Sequence, residues 1–229
     1  MRTARPSIVT IYDGLCRVLI GVFKKVAVAD VLGLTVSEIA YAASPLHAIR
    51  IVLAYSLEIY FDFSAYSDIA IGVSQMFGIR VPENFRNPYL SANIQEFWTR
   101  WHMSLSTWVR DYVFLPLGRA AFGTSLRDRP LAIAVMSYLI AFVVIGAWHG
   151  LTANYLLWGA YHGVLLSIHH VYRRTAGVRW AALPFAASRV GRVSATAATF
   201  ALVSLGWVLF MTADPGAALR LVRMIAGRT

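Results

Sequence analysis

Long apolar runs, broken by few charges and paced at helical spacing, divide this chain into helices. Residues 11–34, IYDGLCRVLIGVFKKVAVADVLGL, predict a helix that is apolar overall but interrupted by Arg17, Lys24, Lys25 and Asp30. Those charges cannot all reach water from one end. The segment is therefore expected to be tilted, interfacial or packed against other protein rather than a simple lipid-facing span. Residues 46–78 predict one or two helices. No basic residue occurs from Ile51 to Ile79, yet Glu58, Asp62 and Asp68 are present. Glu58 and Asp62 stand four apart and share a helix face. Acidic groups inside a span are costly, so two readings stay open: pairing with basic residues of other helices, or lining a substrate path. Residues 79–92 read as a loop, with Pro82, Asn84, Asn87 and Pro88 supplying the turn chemistry.

Residues 93–118, NIQEFWTRWHMSLSTWVRDYVFLPLG, predict one amphipathic helix. Asn93 is placed to cap it with Glu96 as capping-box partner, and Glu96–Arg100 forms an i,i+4 pair. Phe97, Trp101, Leu105 and Trp108 make an apolar stripe. Arg100, Ser104, Thr107 and Asp111 lie largely on another side. Three tryptophans and a tyrosine suit the membrane–water boundary, so this stretch is expected to lie at an interface. Pro130 then opens a run of 43 residues, to Tyr172, without Asp, Glu, Lys or Arg. As one helix it would be roughly 65 Å long, about twice a hydrocarbon core. It must be two passes, or one pass and a re-entrant piece. Arg127 and Arg129 precede it and Arg173, Arg174 and Arg179 follow, which suits a hairpin with both ends cytoplasmic. His149 then falls near the middle of the hairpin. Gly146, Gly150, Gly159 and Gly163 allow close helix approach or a backbone break. Val193–Ala213 is a 21-residue uncharged run and the cleanest transmembrane candidate. Asp214-Pro215 starts a short terminal helix expected to lie on a surface, with Leu219, Val222 and Ile225 on one side and Arg220 and Arg223 on another.

Composition turns this pattern into a fold class. Of the 229 residues 58% are hydrophobic and 14% charged, against about 25% charged in soluble domains. The chain is expected to be an all-α integral membrane protein, one membrane domain over residues 1–229, with interfacial and re-entrant helices. The net charge of +10 is read as cytoplasmic loops and contact with anionic headgroups of membrane lipid, not as nucleic-acid binding. Cys16 stands alone, so no internal disulfide or cysteine-built metal site is expected. The N-terminus has a basic start but no apolar run before Asp13 and no small-residue cleavage site, so the protein's own helices are expected to target it.

Histidine carries the candidate chemistry, because an imidazole within a membrane is a functional-site hypothesis and titrates near neutral pH. His149 reads either as a general base or as a buried histidine bonded to a backbone carbonyl. His102, among tryptophans, reads as a catalytic partner or as an interfacial anchor. His162 repeats the setting of His149: Gly146-Ala-Trp-His-Gly150 recurs as Gly159-Ala-Tyr-His-Gly163. Thirteen residues turn a helix about 220° out of register, so the two would not share a face of one straight helix. Metal-ligand spacing is missing: His149 and His162 are not four apart, and His169-His170 point different ways. No serine nucleophile elbow, Walker loop or dinucleotide fingerprint occurs.

At these residues the chain resembles a known family. The segments are Tyr60-Phe-Asp-Phe-Ser-Ala-Tyr-Ser-Asp-Ile-Ala-Ile-Gly72, Pro82-Glu-Asn-Phe-Arg-Asn-Pro-Tyr89, Glu96-Phe-Trp-Thr-Arg-Trp-His-Met-Ser-Leu-Ser-Thr-Trp-Val-Arg-Asp-Tyr112, Trp148-His-Gly150 and Leu205-Gly-Trp-Val-Leu-Phe210. They resemble the membrane-bound O-acyltransferase (MBOAT) family over roughly residues 11–226. The likeness is to its bacterial branch, which includes the membrane subunit of alginate O-acetyltransferase and the D-alanyl transfer protein of teichoic acids. The resemblance implies a multi-helix bundle with a tunnel, of which this chain would be the C-terminal part, since family members carry further spans before the position of Asp13. It implies a bacterial cytoplasmic-membrane protein that passes an acyl group, acetyl by analogy, from a thioester donor (acyl-CoA or an acyl carrier protein) to a hydroxyl of an exported polysaccharide. Periplasmic or extracellular acyl-relay proteins are implied as partners, and no bound cofactor or metal. The family's principal histidine matches His149 and its second motif histidine matches His102. Trp148, Asp62, Asp68, Arg100, Trp101, Asn154 and His162 are the candidates for the substrate path. After Pro116-Leu-Gly118 the chain reads Arg-Ala-Ala where the alginate branch often has Gly-Asn-Arg, which argues against alginate itself. A non-catalytic membrane module and a small transporter built on the acidic face of residues 58–68 remain as the other readings.

Overall fold

The computed structural model describes residues 7–176 and 188–228. Arg179, expected among the basic residues that follow the hairpin, lies outside them, as do the first six residues of the N-terminal segment. All regular structure among the described residues is helical. The chain divides into two compact units, Met1–Arg86 with Arg220–Thr229, and Asn87–Leu219.

In the first unit, Ser7 caps α1 (Ile8–Phe23) through a reciprocal box with Thr10. A π-helical turn, Lys24–Ala29, leads into α2 (Asp30–Val36). The stretch expected as one or two helices is a single 32-residue helix, α3 (Pro45–Met76), capped by Ser44 with Pro45 in its first turn. The charges that interrupt the first helix have partners here. Asp68 of α3 accepts from Lys24 at 2.6 Å and pairs with Arg17 at 3.0 Å; Arg17 also meets Glu83 at 2.5 Å. Lys25 pairs with Asp62 at 2.7 Å and Asp30 at 2.9 Å. These contacts favour the ion-pair reading for Asp62 and Asp68; Glu58, the third acidic residue of the helix, makes no ion pair among the described residues, and its Oε2 is buried without a hydrogen-bond partner. The ion pairs also explain how a mostly apolar helix carries three cations within nine residues of itself: each sits opposite a carboxylate. Much of α1 faces outward with apolar side chains, Ile8, Leu19 and Phe23 being more than half exposed.

In the second unit, Asn87 takes the left-handed conformation (φ 47°) ahead of Pro88, a conformation that asparagine tolerates better than most residues. The 93–118 stretch differs from expectation. It is not one helix but α4 (Ile94–Trp98), α5 (Met103–Val109), a π-helical turn and α6 (Leu115–Phe122). The hairpin is α7 (Pro130–His149) and α8 (Ala153–Thr175), joined at Gly150–Thr152. They pack at backbone contact. A Cβ on Gly159 would come within 2.2 Å of the Phe142 carbonyl oxygen, and one on Gly146 within 2.2 Å of that of Tyr155. His149 therefore ends α7 at the hairpin's tip, rather than lying within a continuous helix. Helix α9 (Arg189–Met211) follows, capped by Ser188, and is tied to α8 by the Tyr161 hydroxyl, which donates to the Leu202 carbonyl at 2.9 Å. Two described helices, α7 and α9, are long and apolar enough to cross a membrane. The last helix, α10 (Pro215–Ile225), begins in the second unit and ends in the first; Ala218 and Leu221 are buried and Leu219 is half exposed. Val222 and Ile225 are half-buried and Arg220 and Arg223 exposed, as expected, while Leu219 lies outward, contrary to the face expected from sequence.

Candidate functional site

The site is built from the break in the 93–118 stretch and the tip of the hairpin. Asn93 caps α4 by accepting from the Glu96 N–H at 2.9 Å. Glu96 reaches back to the Ala92 N–H at 2.8 Å, one residue earlier than a standard capping box, and accepts from Arg100 at 2.5 Å. Glu96 thus fixes the entrance to α4 and holds Arg100, so the structure uses Arg100 as an ion-pair partner. Replacing Glu96 by alanine should lower stability by about 1 kcal/mol, through a lost cap and a lost i,i+4 pair. Denaturant titration in detergent checks this, and Glu96→Gln should recover the capping part.

Helix α4 ends because its aromatic side chains are drawn into the core. Phe97 is fully buried, and Trp98 and Trp101 are 6% and 4% exposed. Trp101 stacks on Phe97 at 5.5 Å and leans on Trp207 of α9 at 5.1 Å. Trp207 donates to the Tyr89 hydroxyl at 3.2 Å. Burying Trp101 turns the chain, and His102 takes the left-handed conformation, φ 44° and ψ 56°. This region disfavours a non-glycine residue, and such strain tends to gather at functional sites. The Ser106 hydroxyl donates to the Trp101 carbonyl at 3.1 Å and the Ser106 N–H to the His102 carbonyl at 3.0 Å, fastening the break to α5.

His149 comes from the other side. Its ring meets Phe210 at 5.0 Å, Trp158 at 5.4 Å and Tyr155 at 6.0 Å, from three different turns of α8 and α9. Aromatic walls, with no hydrogen bond to a described residue, hold this imidazole. Trp148 bridges the two histidines, its ring 4.8 Å from that of His149 and 6.4 Å from that of His102. Trp148 itself is 64% exposed. His102 and His149 thus flank one indole while hanging from different elements.

Burial pushes the pKa of His102 down from 6.5 to about 4, and a charge on nearby His149 pushes the same way. His102 is therefore a neutral imidazole at pH 7. The sign for stability follows: the unfolded chain binds this proton at pH 6.5 and the folded chain does not. Stability should fall as pH drops from about 6.5 to about 4 and level off below. Thermal melts of wild type and His102→Asn test this, since asparagine tolerates the left-handed backbone without titrating. The variant's melting temperature should depend less on pH across that interval; an unchanged slope would count against it.

The other candidates are spread more widely. Trp101 is a core side chain. Asn154 is buried and donates to the Thr212 carbonyl at 2.6 Å, tying the start of α8 to the end of α9. His162 is fully enclosed by rings and lines no open path. Asp62 and Asp68 belong to the first unit and its ion pairs. The transporter reading is weakened for these two carboxylates, which have cations beside them, but not for Glu58, which forms no ion pair among the described residues. Among the described residues no three His, Cys, Asp or Glu side chains gather to hold a metal. Sequence reasoning missed Trp158, Tyr155 and Phe210, the walls of His149. Their signal was present in the aromatic residues of the second glycine segment and in the 205–210 motif. A cavity of about 490 Å³ lies between the 95–115 segment and the hairpin, lined by Trp98, Met103, Ser106, Arg110, Tyr138 and Phe142 among others. Met103 and Ser106 place it within one helical turn of His102.

Comparison with known proteins gives this arrangement a lineage. The membrane-bound O-acyltransferase family matches residues 9–206. A probable alginate O-acetylase of Pseudomonas syringae pv. tomato is 39% identical over 200 residues, 86% of this chain and 35% of the relative. A peptidoglycan O-acetyltransferase of Helicobacter pylori is 34% identical over 217 residues, 93% of this chain and 38% of the relative. A teichoic acid D-alanyltransferase of Bacillus subtilis is 38% identical over 161 residues, 68% of this chain and 39% of the relative. The chain thus spans somewhat over a third of the length of the curated relatives it matches.

Proposed function

The chain belongs to the membrane-bound O-acyltransferase family, and on that premise we propose that its second unit carries the histidine pair of an O-acyltransferase. The enzyme would sit in the bacterial cytoplasmic membrane as a multi-pass protein. It would move an acyl group, acetyl first, from a thioester donor to a hydroxyl of a cell-surface or exported polysaccharide. The observation that carries this reading is the convergence of His102 and His149 on Trp148 from separate elements.

In the proposed step a nitrogen of His149 takes the proton of the acceptor hydroxyl while the oxygen attacks the thioester carbonyl carbon. The tetrahedral intermediate collapses as the carbon–sulfur bond breaks. The thiolate leaves and takes the proton back from the His149 imidazolium, so the base is regenerated. His102, neutral at pH 7, orients the reacting groups and donates to the developing charge. No protein nucleophile is needed. The cavity beside His102 supports an approach for the acyl donor, being lined mostly by apolar side chains with Arg110 at its wall. Of the three relatives named above, one is a probable O-acetylase by name, one an O-acetyltransferase and one a D-alanyltransferase, which favours acetate without fixing the polymer. Relay proteins carrying the acyl group onward are part of this reading.

A second reading is a non-catalytic membrane module of the same family. The test is transfer of labelled acetyl from acetyl-CoA, or from an acyl carrier protein, to polysaccharide in membranes. It should be run with the chain as given and with any in-frame upstream coding sequence added. Ester-linked label on the polymer supports the enzyme. Folded protein without transfer in either form supports the module.

A further inference from the structure

Three touching side chains in the core of the second unit leave their polar atoms without partners. His162 is 0% exposed, Trp158 1% and Trp98 6%. Both ring nitrogens of His162 and the indole nitrogens of Trp98 and Trp158 are buried and meet no hydrogen-bond partner among the described residues. The ring centroids lie 5.2 Å apart for Trp98–His162, 5.1 Å for Trp158–His162 and 5.9 Å for Trp98–Trp158. Four orphaned polar atoms on three neighbouring rings are far from the native rule that buried polar groups find partners.

The donor count shows what is missing. An indole N–H only donates, and a neutral imidazole donates from one nitrogen and accepts at the other. The cluster therefore holds three donors and one acceptor and cannot satisfy itself. It lacks an acceptor oxygen. Gly206 of α9 closes one edge: a Cβ there would come within 2.8 Å of His162 Nε2. The orphaned atoms are sealed from bulk solvent, which limits an occupant to something resident and about the size of water.

We propose that Trp98, Trp158 and His162 hold a resident ordered water, which accepts from the indole N–H groups and donates to a ring nitrogen of His162. One water offers two lone pairs and two hydrogens, so this arrangement satisfies three of the four atoms. The water then pins Trp158, the ring that His149 meets nearly edge-on, at 5.4 Å and 89°. His162 becomes a positioning residue for His149, a consequence that rests on the acyltransferase reading, whereas the water itself does not.

The test is an experimental structure of the full protein in lipid, at a resolution where ordered waters are seen. Expected is a density peak at about 2.7–3.2 Å from an indole nitrogen of Trp98 or Trp158 and from a nitrogen of His162. Well-resolved rings with no peak between them overturn the proposal. A second arm uses His162→Phe and His162→Gln. Glutamine keeps a donor and an acceptor, so its melting temperature should exceed that of His162→Phe. A dry cluster predicts the reverse, with His162→Phe more stable than wild type because two orphaned atoms are gone, and that result also overturns the water. If His162→Phe folds, kcat should fall about 10- to 100-fold with KM held, the mark of a misplaced base rather than lost binding. Water density together with full activity of a His149 variant would sink the assigned role of His149 and leave the water standing; missing density with a His149-dependent reaction would do the opposite.

Discussion

If the proposed acyl transfer is the function, replacing His149 by alanine should lower polysaccharide acylation by about 10²- to 10⁴-fold, the usual contribution of a positioned general base. The loss should appear in kcat, with the apparent KM for the acyl donor little changed, because in the proposed step the imidazole acts on the acceptor hydroxyl in the transition state. The structure gives reasons to expect a chemical effect and not a folding one. His149 is the last residue of α7 and makes no hydrogen bond to a described residue, and its neighbours Trp158, Phe210 and Tyr155 also pack against each other or against α9. His149→Gln separates the two causes. It fills most of the same space and keeps hydrogen-bonding atoms but cannot take up a proton near pH 7. It should therefore fold as wild type does and lose about as much activity as His149→Ala. Acylation by membranes, normalised to folded protein, is the measurement; wild-type rates in His149→Gln would remove His149 from the chemistry.

The second large effect is structural. Gly159→Ala places a methyl group within 2.2 Å of the Phe142 carbonyl oxygen and 2.9 Å of its carbon. The obstacle is backbone, so no side chain can swing aside, and α7 and α8 must separate. Overpacking of this kind costs about 1–3 kcal/mol in cores that can adjust and more where backbone is hit, so a loss of about 3 kcal/mol or more is expected. Small residues let membrane helices approach closely, and losing that contact removes packing along the whole hairpin. His149 hangs from the tip of that hairpin, so the damage should reach activity as well. Melting temperature in detergent and the yield of folded protein report the first effect. The contrast is Gly118→Ala, where a Cβ would meet nothing within 4 Å and no loss is expected.

Comparing what the residues announced with what they form shows where local pattern was enough. Pro130, the uncharged run and the glycines around residue 150 carried the hairpin, because helix length and turn chemistry are local properties. The break at His102 was not legible. Phe97, Trp101, Leu105 and Trp108 keep helical spacing straight through it, and no Gly, Pro or Asn stands at 102 to mark a left-handed residue. The break exists because burying Phe97, Trp98 and Trp101 against Trp207, Phe142 and Trp158 outweighs continuing the helix, a tertiary cause with no local sign. The partners of Asp62 and Asp68 were open for the same reason: sequence gave their charge, and only the fold brings Lys24, Lys25 and Arg17 to them. His149 was singled out by its motif, but its aromatic walls come from residues six to sixty-one positions away. The capping of α4 was foreseen in kind and missed by one residue, Glu96 reaching the Ala92 N–H.

The central claim is that His102 and His149, from different elements, work as one site. A double-mutant cycle on acyl transfer tests it most directly, with His149→Ala and His102→Gly as the single changes; glycine keeps the left-handed backbone at 102 and removes only the imidazole. If the two act on one reacting centre, the double variant should be barely slower than His149→Ala alone, since residues that function as a unit are non-additive. Rate losses that multiply, with each histidine contributing its full factor in the absence of the other, would contradict the account.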